Sequence, residues 1–470
     1  MATKKRRDSG SVLRSAIEAL SESAFSELTG AIRAQAKERG LLLQGDGGGQ
    51  EMIPVALTPW VINRETARYF QTLLRGIRRT INRVLSHYFE DPTLQEILPL
   101  RETELEWLKA TCPSGMCRPQ TVFERFDTNL GPNVEGQLSS FQIIEFNAVG
   151  VGCVYLMPTA TELLTEHLFP HLKESLQGRI LTPPSDYRGL LLGQLQAHAK
   201  AIGREQCRVA LVERRETSPG GCDEFSRMVP YFAANGIAAS VGDPREVERH
   251  NGELRLKEQP IDVVYRDFQL EEVVSIKTHG GSVEGIETAF SRNQVVSTVF
   301  GEFDHKSLCE LLTNPEFSRY FTPQELRAAK RRVPWTRLVE ERRTTDIDGK
   351  EADLIAYIRQ NKDKLVLKPN RGYGGEGVAV GDKISDSAWE EALGKAVEKP
   401  RTWVVQEKVQ IARAPVMVLR EKGKPQMEEQ YVTLSVTATP RGVAFVGRSS
   451  AEPVVNISQG GGLVPLFLEK

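Results

Sequence analysis

The chain has 470 residues, 40% hydrophobic and 26% charged, with a formal net charge of −1. That length supports two or three domains with buried cores, and the near-zero charge supplies no global field toward nucleic acid or an anionic membrane. No apolar run approaches the ~20 residues that cross a bilayer. A polar helix, not an apolar stretch, follows the basic cluster Lys4-Lys5-Arg6-Arg7. The expectation is a cytoplasmic protein whose residues 1–10 are a disordered basic tail.

Helical periodicity runs over Gly10–Gly40, with Leu13, Ile17, Leu20 and Phe25 as apolar positions. Gly45–Gly49 reads as a flexible break. Thr66–His87 reads as an amphipathic helix with an arginine-rich polar face, and Glu102–Ala110 as a shorter one. Cys112 and Cys117 are the only close pair among six cysteines; with no second pair they read as structural thiols. The seven histidines are scattered and form no metal-binding pattern.

From Gln120 the pattern turns to strands, Thr121–Asn129 and Phe141–Phe146, joined by a polar loop as an antiparallel pair. Pro158–Phe169 returns to helix. A block over about 205–290 alternates strands at Arg208–Val212, Ile237–Val241, Leu254–Lys257 and Ile261–Arg266 with a helix at Cys222–Asn235, which predicts a small α/β domain with a partly parallel sheet. Its last strand ends in Tyr265-Arg266-Asp267, a common ligand position in such sheets; there Arg266 is a candidate for a substrate carboxylate or an internal salt bridge.

The last block, 291–470, carries helices at His305–Leu312, Pro323–Arg332, Ala352–Asn361 and Ala388–Lys399 and strands at Leu365–Lys368, Val378–Val380 and Thr402–Gln406. Between two of these strands lies KPNRGYGGEGVAVG, Lys368–Gly381. Gly372, Gly374 and Gly377 satisfy G-x-G-x-x-G, but the strand-like Val378-Ala379-Val380 follows where a dinucleotide site needs a helix. No G-K-[ST] ends the loop, so it is not a Walker A motif. Neither H-R-D nor D-F-G occurs, and the chain after the loop is too short for a protein kinase. What remains is a strand lysine, Lys368, beside a glycine hairpin whose N–H groups suit phosphate oxygens.

With its neighbours the loop resembles the ATP-grasp superfamily, in which two α+β subdomains hold ATP. By that resemblance Lys306 and Lys368 are the ATP lysines, and Gly372, Tyr373, Gly374, Gly375 and Gly377 form the phosphate loop. Gln406, Glu407, Lys408 and Val409 form the adenine hinge. No carboxylate plus E-x-N follows Lys368; instead Arg125-Phe126-Asp127 and Glu145-Phe146-Asn147 stand far upstream. That order resembles the circularly permuted ATP-grasp proteins, of which the glutathionylspermidine synthetase domain is an example, without its amidase domain. The resemblance implies Mg²⁺ at Asp127, Glu145 and Asn147, and Arg125 on the terminal phosphate. Alternation on a strand agrees: Arg125 and Asp127 share a face, as do Glu145 and Asn147. The closing GRSSAEPVVNISQGGGLVPLF resembles the family's final segment, with Arg448, Asn456 and Gly461 at the phosphates or acceptor.

The implied fold class is α+β, a circularly permuted ATP-grasp fold with a small α/β pre-ATP-grasp domain. Residues 11–200 would carry helices and the metal strands, 201–290 the small domain and 291–470 the glycine loop and hinge. The implied activity is an ATP- and Mg²⁺-dependent carboxylate–amine ligase working through an acyl phosphate on small-molecule substrates, with no nucleic acid or membrane partner. A small-molecule kinase and a non-catalytic nucleotide-binding protein stand as alternatives.

Overall fold

The structure is a computed structural model that describes residues 9–44, 49–112, 119–176, 178–215 and 223–470. Most of the basic tail and of the break at 45–49, with Cys117 and Cys222, lies outside them. Ser9 and Gly10 do not belong to a tail: they open the helix Ser9–Glu18, where Ser9 is buried and bonded by Arg179. The long N-terminal helical stretch is two helices, because the Ser21 side chain accepts Ala24 N at 3.2 Å and caps a second helix, Glu22–Glu38.

A seven-stranded sheet organises the molecule. Its order is Ala412–Leu419, Val55–Ala56, Gly462–Val464, Gly442–Ser450, Gln426–Thr439, Arg125–Thr128 and Ile143–Asn147. Ala412–Leu419 also pairs with the first half of Gln426–Thr439, so the first five strands close on themselves. The second half of that strand pairs with Arg125–Thr128, Ser435 opposite Asp127. Segments 11–200 and 291–470 therefore share one sheet. The helix Arg64–Leu85, capped by Asn63 on Thr66 N, packs its apolar stripe on this sheet, Phe70 meeting Phe445 edge-on at 6.0 Å.

The strands of the α/β block lie close to their expected positions, but their sheet is wholly parallel: Val295–Val296, Val263–Asp267, Val209–Glu213, Ala239–Gly242. Its edge strand lies beyond residue 290. The run expected as one strand, Ile261–Arg266, divides, since Gln259–Ile261 closes an antiparallel meander with Glu253–Leu256 and Val247–His250.

A third sheet, Thr336–Leu338, Trp403–Glu407, Leu365–Pro369 and Ala379–Val380, is antiparallel and carries the glycine loop between its last two strands. Its core is Trp335, Leu354, Ile358, Leu367, Trp389 and Leu393. Lys306 does not open a helix. The helix is Leu308–Thr313, and Lys306 sits in the turn before it, where Asn370 takes both backbone N–H groups: its carbonyl accepts Lys306 N at 3.0 Å and its side chain accepts Ser307 N at 2.9 Å. No helix among the described residues is long and apolar enough to cross a membrane.

Candidate active site

The pair Arg125–Thr128 and Ile143–Asn147 is antiparallel, with Asp127 opposite Glu145 and Arg125 opposite Asn147. Alternation sends Phe126 and Phe146 together into the core, edge to face at 5.5 Å. It sends Arg125, Asp127, Glu145 and Asn147 into a cavity of 1350 Å³ between the three sheets. The polar face of this strand pair thus lines an interior site.

Asp127 is held from two sides. Arg125 Nε donates to its Oδ1 at 2.8 Å, and Arg448 Nη2 donates to its Oδ2 at 2.8 Å and to Ser435 Oγ at 2.8 Å. Burial alone would raise this carboxyl, but the two guanidiniums hold it far below the usual carboxylate range. Lys306 Nζ lies 3.0 Å from Glu145 Oε1 and donates to Gly372 O at 2.7 Å, tying the strand Ile143–Asn147 to the glycine loop. Lys368 Nζ donates to Gln406 Oε1 at 2.7 Å, and Gln406 Nε2 to Thr336 Oγ1 at 3.0 Å. Burial depresses Lys368; Glu145 opposes that shift and Lys306 adds to it.

Several polar atoms at this end have no partner. Asn147 Nδ2, Arg448 Nε and Thr433 Oγ1 are buried and unbonded among the described residues, and all three residues line the cavity. Unpaired buried polar atoms are costly and rare, and here they belong to residues that line the space a ligand would fill. Two carboxylates and an amide on neighbouring strands fit a hard, oxygen-seeking cation such as Mg²⁺. No three His, Cys, Asp or Glu side chains cluster as a metal cage among the described residues.

The glycine loop is docked over this end. Gly374 and Gly375 have φ of +73° and +74°, a region L-residues avoid. Gln459 Nε2 donates to Gly374 O at 2.8 Å. The Tyr373 hydroxyl accepts Gln269 Nε2 at 2.6 Å and donates to Asp304 Oδ1 at 3.3 Å. Arg371 Nη1 pairs with buried Glu104 at 2.7 Å. Gly372 to Gly375 line the cavity, as do Gln406, Glu407, Lys408, Val409 and Asn456. Lys408 Nζ is paired with Asp382 at 2.8 Å.

Three expected residues are not at the cavity. Arg266 is fully buried: it pairs with Glu302, and its guanidinium donates to the carbonyls of Ser297, Phe268 and Thr298 at 2.8–3.1 Å. Four of its five N–H donors serve the fold and the side chain is fully buried, so it is not free for a substrate carboxylate. Gly461 packs on its own turn, where a Cβ would lie 2.5 Å from Asn456 O. Gly377 packs against Pro369 and Trp403 instead of facing the phosphates. Three lining residues, Asp267, Glu224 and Thr433, were not singled out in the sequence as site residues. Thr433 had a readable signal: in YVTLSVTAT polar residues alternate with Val432, Leu434 and Val436.

Residues 336–443 match the family model described as circularly permuted ATP-grasp type 2. A solved structure, a glutathione synthetase-like effector from Globodera pallida, superposes with a TM-score of 0.63 at 12% identity, covering 96% of this chain and 98% of that one. The chain has the circularly permuted ATP-grasp fold. An uncharacterised Mycobacterium tuberculosis protein is 25% identical over 218 residues, 44% of this chain and 36% of that protein, so the match spans about a third of the relative's length. A candidate glutamate–cysteine ligase of Frankia casuarinae is 32% identical over 109 residues, 23% of this chain and 12% of its own. An ATP-grasp, ligase-like protein is the coarse description that these similarities support.

Proposed function

We propose that this permuted ATP-grasp protein is an ATP-dependent carboxylate–amine ligase. The observation that carries the reading is convergence: Lys306, Lys368, Arg125 and Arg448, with Asp127, Glu145 and Asn147, meet in one cavity under a docked glycine loop although they come from five separate stretches of chain. The ATP-grasp fold and the ligase-like relative support it.

A carboxylate resists amines because its oxygen is a poor leaving group. In the proposed reaction a substrate carboxylate oxygen attacks the γ-phosphorus of ATP and ADP leaves. The amine nitrogen then attacks the acyl carbon, inorganic phosphate leaves, and the nitrogen loses a proton. Lys306 and Lys368 would neutralise charge on the transferring phosphoryl group. Arg448, steadied by Asp127 and Ser435, would present its remaining N–H donors to the same region. Gln406 and the backbone at Glu407–Val409 would hold the adenine. The glycine loop would exclude water from the acyl phosphate. Bound at Asp127, Glu145 and Asn147, Mg²⁺ would supply charge neutralisation at the phosphates.

Losing one such electrostatic group typically costs on the order of 10²–10³ in rate. Lys368→Ala and Glu145→Ala are each expected to lower ADP release by at least that factor in the presence of acid and amine. Near wild-type turnover in both would overturn the site assignment. Mass analysis of products decides the reaction class: a condensed product with ADP and phosphate supports the ligase, and a phosphorylated product supports a kinase.

A further inference from the structure

Lys306 and Lys368 reach the cavity from separate segments and carry like charge. Burial depresses Lys368, and against the pull of Glu145 the Lys306 charge depresses it further, so the two ammoniums stand in each other's field. Each sits on a flexible four-carbon stem. Where the two charges converge is therefore set by the backbone beneath them, and Asn370 joins those two backbones.

Asn370 directly follows the strand Leu365–Pro369, two residues after Lys368. Its N–H donates to Thr402 O at 2.8 Å and its Nδ2 to Arg401 O at 3.4 Å. These bonds extend the pairing of its strand with Trp403–Glu407. Its two acceptors point to the other segment. The carbonyl accepts Lys306 N at 3.0 Å, and Oδ1 accepts Ser307 N at 2.9 Å. One residue thus grips two consecutive N–H groups, which fixes the orientation of the Lys306 turn as well as its position. From that turn Lys306 Nζ reaches Glu145 and Gly372 O, while Lys368 Nζ reaches Gln406.

A carboxamide suits this place. Ser307 is fully buried, so an apolar side chain at 370 would leave its N–H without an acceptor. A carboxylate would have no donor for Arg401 O. Asn370 is 2% exposed and is not among the residues that line the cavity, although Lys306, Lys368, Pro369 and Gly372 are. Any effect it has on a ligand passes through its neighbours. The turn also has a second hold: Asp304 accepts Ala148 N at 2.9 Å and the Tyr373 hydroxyl at 3.3 Å. The helix Leu308–Thr313 that follows is anchored by buried Leu308, Leu311 and Leu312. Losing the Asn370 amide should therefore shift the turn against the Lys368 strand without unfolding it.

We infer that Asn370 is a positioning residue: by tying the Lys306 turn to the Lys368 strand, it sets the separation at which the two ammoniums meet the phosphates of ATP. The inference rests on the nucleotide-binding half of the ligase reading. It is independent of which acceptor takes the phosphoryl group. A residue that served the fold alone would weaken nucleotide binding by the same factor whether or not Lys306 kept its charge. A residue that acts through Lys306 loses its effect once that charge is gone.

The test is a double-mutant cycle on the full chain, read by calorimetric titration with a non-hydrolysable ATP analogue and Mg²⁺. Asn370→Ala should weaken the analogue about tenfold in the wild-type background and about twofold or less in Lys306→Met. Asn370→Ser repeats the cycle. It keeps a polar atom in the buried space but is one bond too short to reach Ser307 N, so it decides the matter if the alanine variant does not fold. Equal losses in both backgrounds, or no loss in either, would overturn the inference and leave the ligase reading standing. A coupled loss in a protein that yields no condensed product would sink the ligase reading and leave the role of Asn370 standing. An analogue that binds Lys306→Met as tightly as wild type would overturn both.

Discussion

Arg266 and Asp267 are neighbours on one strand and face opposite ways. Arg266 points into a core where Glu302 and three carbonyls take its charge and donors, while Asp267 points into the cavity with no partner. The strand end was legible in the sequence as a ligand position, but the choice between the two residues was not, because this sheet is buried on both faces and gives no polar alternation to read. Asp267 makes a pH-dependent difference. An unfolded aspartate titrates near 3.9; in the fold it is raised to about 7. The folded chain therefore holds more protons between those values, and stability falls as pH rises through the window. The groups facing Asp267 are Glu213 on the adjacent strand, Glu272 on the following helix and Glu224 opposite, with Arg214 on the same wall. Asp267→Asn removes this loss, so its melting temperature relative to wild type should rise from pH 4 to about pH 7 and level off above. A difference that stays flat over that range would assign the titration to another group.

At the scale of elements, the glycine hairpin is joined to three distant segments by Arg371–Glu104, Tyr373–Gln269 and Gln459–Gly374. Its strand–loop–strand form follows from glycines set between two apolar runs. Where its tip docks does not, since Gln269 and Gln459 carry no motif. Gly375 shows the constraint: its φ is +74°, and an added Cβ would meet Val454 Cγ1 at 2.6 Å. Left-handed backbone costs an L-residue roughly 1–2 kcal/mol. Gly375→Ala should raise the KM for ATP by about tenfold, since 1.4 kcal/mol is a factor of ten, while thermal unfolding changes little because residues 370–378 belong to none of the core clusters. A matching fall in melting temperature would mean the loop supports the fold instead of the ligand.

The whole molecule joins early and late chain segments in one sheet: Val55–Ala56 pairs with Gly462–Val464, and Arg125–Thr128 with Gln426–Thr439. A ligand held by residues from these segments and from the third sheet should stabilise all of them together. ATP with Mg²⁺ at about 100 times its Kd is expected to add about 2.7 kcal/mol to unfolding, read as a single upward shift of the melting transition. The shift should be much smaller in Glu145→Ala. A shift of equal size in that variant would place the nucleotide elsewhere.

Short-range patterns let the sequence determine a good deal by itself: the strand lysine Lys368, the glycine hairpin, and the alternation that puts Arg125 with Asp127 and Glu145 with Asn147. These depend on residue type and on spacings of two to ten residues, which backbone geometry converts directly into shared faces and turns. Only the tertiary structure decided which of those groups meet. Arg448 reaches Asp127, Lys306 reaches both Glu145 and Gly372, and Asp267 stands unpaired while Arg266 is buried. Such contacts span up to 321 residues, and they depend on sheet order and on which face of a doubly buried strand opens to the cavity. No local pattern carries either, because both are set by how distant segments pack.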